Sequence, residues 1–172
     1  MMKLQPDVHD HGATYSACRR YRYALWRGWD VRLPAVAFVG LNPSTATDDE
    51  DDPTIRKSIT LARSWGFGRF VMLNVFAWRS TDPLRLLRIE DPVGRDNDPA
   101  IARVAGACAC VVMAWGRFPK LRSILDERTV AVRRLLREHA CATGHLGLNG
   151  DGSPRHPLYL KGTTSLTRWG AP

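Results

Sequence analysis

The segment Pro34-Ala35-Val36-Ala37-Phe38-Val39-Gly40-Leu41 is nearly all apolar and stops at the turn-forming Asn42-Pro43-Ser44-Thr45. A short apolar run bounded by turn residues fits a strand covered on both faces. Two more runs have the same character, Phe70-Val71-Met72-Leu73-Asn74-Val75-Phe76 and Cys110-Val111-Val112-Met113-Ala114-Trp115-Gly116. A fourth strand is expected around His145-Leu146-Gly147-Leu148-Asn149.

Helix signals fall between these runs. Asp52-Pro53 and Asp98-Pro99 each place a capping carboxylate before a proline suited to a first helical turn. The first helix should run to about Trp65 and stop at Gly66. A third and longest helix is expected from about Pro119 to His139. Its apolar stripe is Leu121, Ile124, Leu125, Val132, Leu135 and Leu136, with Arg122, Arg133, Arg134 and Arg137 largely off it. Strands alternating with helices predict a three-layer α/β/α fold on a central four-stranded, mainly parallel sheet. Residues 15–32 mix aromatics and arginines with partial alternation and predict an N-terminal edge hairpin. Residues 1–14 read as a flexible leader, and 15–172 as a single domain.

The 172 residues can bury a sizeable core. With 44% apolar and 24% charged residues, the composition is that of an ordinary globular domain. No run approaches the ~20 apolar residues of a membrane helix. The first residues carry no apolar signal-peptide core, so a cytoplasmic protein is expected. Lys and Arg number 25 against 17 Asp and Glu, a net charge of +8. That balance suits a polyanionic partner, although a solvated basic surface looks the same in sequence. Cys18, Cys108, Cys110 and Cys141 form no CxxC pair, and His9 and His11 make only a weak HxH. The cysteines read as small core residues, and neither a metal site nor another cofactor is expected.

In a parallel α/β sheet the ligand lies beyond the carboxyl ends of the strands. The informative residues are therefore Gly40 to Ser44, Asn74 to Arg79, Trp115-Gly116 and His156 to Leu160. Taken in order, they resemble the uracil-DNA glycosylase superfamily. Gly40-Leu41-Asn42-Pro43 is similar to that superfamily's Gly-x-Asp/Asn-Pro motif. Val71-Met72-Leu73-Asn74 matches an apolar strand ending in Asn, and Trp115-Gly116 a third strand end. His156-Pro157-Leu158-Tyr159-Leu160 matches a His-Pro motif with its wedge loop. The chain also looks like an uncharacterised bacterial and phage branch sharing the strings GLNPSTA, DPTIR and HPLYL.

The resemblance implies a monofunctional DNA N-glycosylase that flips a pyrimidine out of double-stranded DNA and leaves an abasic site. His156 would donate a hydrogen bond to the base as negative charge develops there. Asn42 would position water, with Asp52 as the other candidate for that task; helix capping is the simpler use of Asp52. Gly40, Leu41, Ser44, Asn74 and Phe76 would form the base pocket. Asn74 would read the Watson–Crick edge, since its amide both donates and accepts. Phe76 or Phe38 would offer a stacking face, though core packing is the plainer role for each. Leu158, Tyr159 and Leu160 would fill the gap left in the duplex. Arg79, Arg155, Lys161, Thr163 and Arg168 would bind the DNA backbone.

Strict uracil enzymes carry a Tyr after their Asp-Pro, and here Ser44 follows Asn42-Pro43. The smaller side chain leaves room at C5. It points to a C5-modified pyrimidine, such as hydroxymethylated or glucosylated cytosine, and so to anti-phage defence. Two other readings stay open. One is an enzyme of free nucleosides or nucleotides on the same fold; the other is a non-catalytic reader of modified bases. A monomer without membrane association is expected.

Overall fold

The structure is a computed structural model that describes residues 10–139 and 141–169. In chain order the strands and helices are β1 (Asp10–Tyr15), β2 (Arg22–Gly28), β3 (Ala35–Gly40), α1 (Pro53–Ser64), β4 (Arg69–Asn74), α2 (Asn97–Ala107), β5 (Cys110–Met113), α3 (Arg122–Glu138), β6 (Thr143–His145) and β7 (Thr167–Arg168). Short 3-10 turns occupy Pro83–Arg88, Pro119–Leu121 and Pro157–Tyr159.

The fold is mixed α/β. One sheet of seven strands runs β1-β2-β4-β3-β5-β6-β7. Neighbours among β4, β3, β5 and β6 pair in parallel, while β1–β2, β2–β4 and β6–β7 pair antiparallel. This corrects the expected four-stranded, mainly parallel sheet. The hairpin is no separate appendage, because β2 pairs with β4 and leaves β1 as the edge. Residues 10–14 of the expected leader lie in β1; residues 1–9 lie outside the described residues. Two-residue β7 is too short to show a period in sequence, and β6 ends at His145, so Leu146–Asn149 belong to the following loop.

Alternation along β3 explains its unbroken apolar run. Val36 and Phe38 face one cluster, with Ile55, Ile59 and Ala62 of α1. Ala37 and Val39 face the other, with Ile101 and Ala105 of α2 and Val132 and Leu136 of α3. Each large apolar side chain buried this way contributes roughly 1.5–3 kcal/mol. Helix α1 opens as its sequence predicts: Ile55 N donates to the Asp52 carboxylate at 2.9 Å, and Pro53 fills the first turn. Helix α2 starts one residue before the expected Asp98 cap, and its flanking Asp96 makes no side-chain cap. Asp98 instead pairs with Arg128 of α3. Cys110 is buried and Cys108 and Cys141 half-buried, but Cys18 is exposed and so departs from the expected core role. No helix among the described residues is long and apolar enough to cross a membrane.

The acidic loop between β3 and α1 is anchored from β2. Arg27, fully buried, pairs with Asp51 at 2.8 Å and donates to the carbonyls of Trp26 and Thr47. Removing one partner of a buried pair strands the other charge, which typically costs ~3–5 kcal/mol. Asp51→Ala should therefore lower the unfolding free energy by about 3 kcal/mol in urea titration, and the neighbouring exposed Glu50→Ala by less than ~0.5 kcal/mol. Equal, small effects would show that the pair does not hold this loop.

Candidate functional site

The order of the parallel strands reverses beside β3, whose chain continuation pairs to one side and whose next neighbour, β5, lies on the other. Such a reversal opens a crevice at the carboxyl ends of the strands. A cavity of about 140 Å³ lies there, lined by Gly40, Leu41, Asn42, Ser44, Asp52, Asn74 and His156 together with Arg22, Ser80, Thr81 and Phe118. At ~30 Å³ per water, the space equals four or five waters, the scale of one small heterocycle. Asn42, Asn74 and His156, separated in sequence, thus share one chamber.

Asn74 ends β4 directly opposite Gly40 of β3. A Cβ at position 40 would stand 2.9 Å from Asn74 Oδ1, so only glycine leaves that amide its place. Asn74 is 2% exposed, and its Nδ2 has no hydrogen-bond partner. A buried donor without an acceptor is costly and calls for a ligand. Its backbone is held from behind: Asn97 Nδ2 donates to Asn74 O at 3.1 Å, and Arg128 Nε to Val75 O at 2.6 Å.

His156 caps the Pro157–Tyr159 turn, and Leu158 N donates to its Nδ1 at 3.3 Å. That bond leaves the proton of the neutral ring on Nε2, which has no partner among the described residues. Burial lowers the imidazole pKa against the opposing pull of Asp52, so the ring is neutral near pH 7. Gly116, at φ +82°, lets the chain pass close by, since a Cβ there would lie 3.2 Å from His156 Cβ and 3.3 Å from Phe118. Trp65, the residue that caps the end of α1, ties down the segment that follows this turn, its Nε1 donating to Thr164 O at 3.0 Å.

Asn42 Nδ2 donates to the carbonyls of Ser80 at 2.8 Å and Pro43 at 3.1 Å. Both donor bonds fix the amide and leave Oδ1 as its available acceptor. Asp52 caps α1 and also lines the cavity, so capping and a place in the site coexist. Arg22, absent from the sequence-derived set, is 2% exposed; its Nη1 donates to Ala46 O at 2.6 Å, and its Nε is unpartnered. Burial lowers its pKa to about 10, and Asp52 is among the charges that partly offset this. The sequence signal was a charge inside the strand Arg22-Tyr23-Ala24-Leu25-Trp26. Because β2 runs antiparallel, its first residue lies at the carboxyl ends of its neighbours. Phe118, also unforeseen, supplies the aromatic wall.

Other expected site residues lie elsewhere. Phe76 is 1% exposed in the core with Leu86 and Ile101, and Phe38 stacks on Trp65. Arg79 braces the β1–β2 turn, donating to Arg19 O at 3.2 Å and lying 5.2 Å over the Tyr15 ring. Leu160 packs on the core instead of extending the wedge. Leu158 and Tyr159 are 37% and 84% exposed beside His156. Arg155 donates to Leu148 O, and it, Lys161, Thr163 and Arg168 are exposed outside the cavity.

These features define a mixed α/β protein with a polar, partly cationic chamber at its strand ends. Residues 22–158 match the model of a protein family of unknown function, DUF1643, and the chain belongs to that family. The matched span includes every residue lining the chamber. No curated protein and no solved structure matches the chain.

The pKa shift of His156 carries a testable consequence. Because burial disfavours its cation, the unfolded chain takes up a proton near pH 6.5 that the folded chain refuses. Stability should fall as pH drops through 6.5 towards the lower folded pKa, and this loss should be absent in His156→Gln. By NMR, the His156 ring should titrate below 6.5; a midpoint above that value would remove the assignment of a neutral donor.

Proposed function

We propose that this chain is a DNA N-glycosylase of the uracil-DNA glycosylase type, acting on a pyrimidine, C5-modified cytosine foremost, turned out of the duplex into the chamber. The observation that carries this reading is the buried, unpaired amide of Asn74 in a heterocycle-sized cavity beside a neutral imidazole. The net charge of +8 and the exposed Leu158 and Tyr159 at the chamber's rim suit a duplex partner and a wedge.

On this reading Asn74 binds an acceptor on the base edge and Phe118 packs against the ring. Heterolysis of the C1′–N1 bond sends its electron pair into the pyrimidine, where O2 gains negative charge. His156 Nε2–H donates a hydrogen bond to that oxygen, an interaction that strengthens only as charge develops. Asn42 Oδ1 holds the water that attacks C1′, and Asp52 takes the proton the water loses. An amide is a poor proton acceptor, so Asn42 only orients the water and its deprotonation falls to the Asp52 carboxylate. Ser44 leaves open the side of the chamber where a C5 substituent would pass. Restriction of phage DNA carrying hydroxymethylated or glucosylated cytosine follows as the biological role.

The test is base release, followed by mass spectrometry and by alkali-labile strand cleavage. Duplexes containing uracil, thymine mismatches and C5-modified cytosines are assayed side by side. His156→Ala should slow release by about 10²–10³-fold. Asn74→Ala should lower kcat/KM by ~10–100-fold, as expected for loss of a buried hydrogen bond. Release of uracil alone would overturn the C5-modified substrate. Tight binding without release would make the protein a reader of bases, and neither binding nor release would end the nucleic-acid reading.

A further inference from the structure

The chamber has a neighbour. A second cavity of about 260 Å³ lies beyond Phe118, which lines both. Its other walls are Trp115, at the end of the third apolar run, and the α3 stripe containing Arg122, Asp126, Thr129 and Arg133. The loop after β6 closes the remaining side with Asp151 and Ser153.

The charges here are unequal. Arg117 pairs with Asp151 at 2.9 Å, and Arg122 with Asp126 at 3.1 Å. Arg133 has no carboxylate partner among the described residues. Its guanidinium is held by rings, 4.5 Å from the Trp169 centroid and 5.6 Å from that of Trp115. Ring stacking fixes a guanidinium plane while leaving its N–H edge free to donate. Burial lowers the Arg133 pKa, as does the nearby Arg137. Trp115 is 2% exposed and lines the same cavity. Three arginines against two aspartates leave the cavity net +1, with the ring-held guanidinium of Arg133 engaged by no carboxylate among the described residues.

The geometry points to a phosphate-binding subsite in which Arg133 and the Trp115 N–H hold the phosphodiester adjoining the nucleotide in the first chamber. Phe118 separates base from phosphate. The subsite rests on the reading above only for the identity of the strand; the binding of phosphate is tested by itself. Arg117 and Arg122 also line the cavity but are engaged by their aspartates.

The experiment follows the indole N–H signals of Trp115 and Trp169 by NMR in the full chain. The probes are inorganic phosphate, a thymidine dinucleotide joined by one phosphodiester, and a single-stranded 12-mer. The dinucleotide and 12-mer should shift both signals, with affinity falling as salt rises. Arg133→Gln should weaken 12-mer binding at least tenfold and lower the salt slope by about one phosphate's share. Thr129→Glu, an independent substitution on the same stripe, should weaken it in the same direction while circular dichroism confirms the fold. Asn74→Ala should leave the phosphate-dependent shifts in place, which separates this site from the base chamber. Unmoved indole signals, or unchanged affinity in both Arg133→Gln and Thr129→Glu, would overturn the subsite even if base release were observed. Inorganic phosphate bound as tightly as the dinucleotide would overturn its assignment to a nucleic-acid strand.

Discussion

Parallel pairing of β3 with β4 brings Gly40 opposite Asn74, and the chamber depends on that register. A shift by one residue would turn Asn74 towards the other face of the sheet and exchange the two apolar clusters as well. The apolar alternation of both strands therefore protects the polar site. Glycine contributes by what it lacks, since the Asn74 amide occupies the space a Cβ would take. Asn97 and Arg128 then fix the end of β4 from the opposite face through its carbonyls. The site is thus built mainly by backbone, with its side chains set on rigid strand ends.

The basic character of the chain has two destinations. Part of it is solvated, as on Lys161 and Arg168. Another part is internal: Arg22, Arg27 and Arg128 are buried and each donates to main-chain carbonyls. These guanidiniums tie loops to the sheet, a task suited to a planar group with five donors. Net charge alone therefore overstates how much cation faces a partner. Positive character near the chamber is local, coming from Arg22 within it and Arg133 beside it.

Much of the α/β skeleton was legible. Apolar runs marked β3, β4 and β5, and Asp-Pro pairs marked the starts of α1 and, within two residues, α2. The principle that ligands sit beyond strand ends selected Asn42, Asn74 and His156, which do share one chamber. It failed for Phe76, because two residues past the strand the chain has already turned into the core with Leu86. It also failed for Leu160 and Arg79, whose side chains find nearer partners in the core and in the β1–β2 turn. Arg22 escaped notice because its place depends on β2 running antiparallel to β4, a long-range pairing with no local signature.

The sequence by itself determined the central strands β3, β4 and β5 and the helices between and after them, because apolar period, capping carboxylates and prolines act within a few residues of one another. It also supplied the chemical types at the strand ends: two amides, an imidazole and a small residue at position 44. Tertiary structure alone decided the seven-strand order, the burial of Arg22 and the seating of Phe118 between two cavities. It decided as well that the amide donor of Asn74 is left without a partner. Those outcomes follow from contacts between distant segments, where packing and hydrogen-bond satisfaction are settled only once the whole sheet has closed.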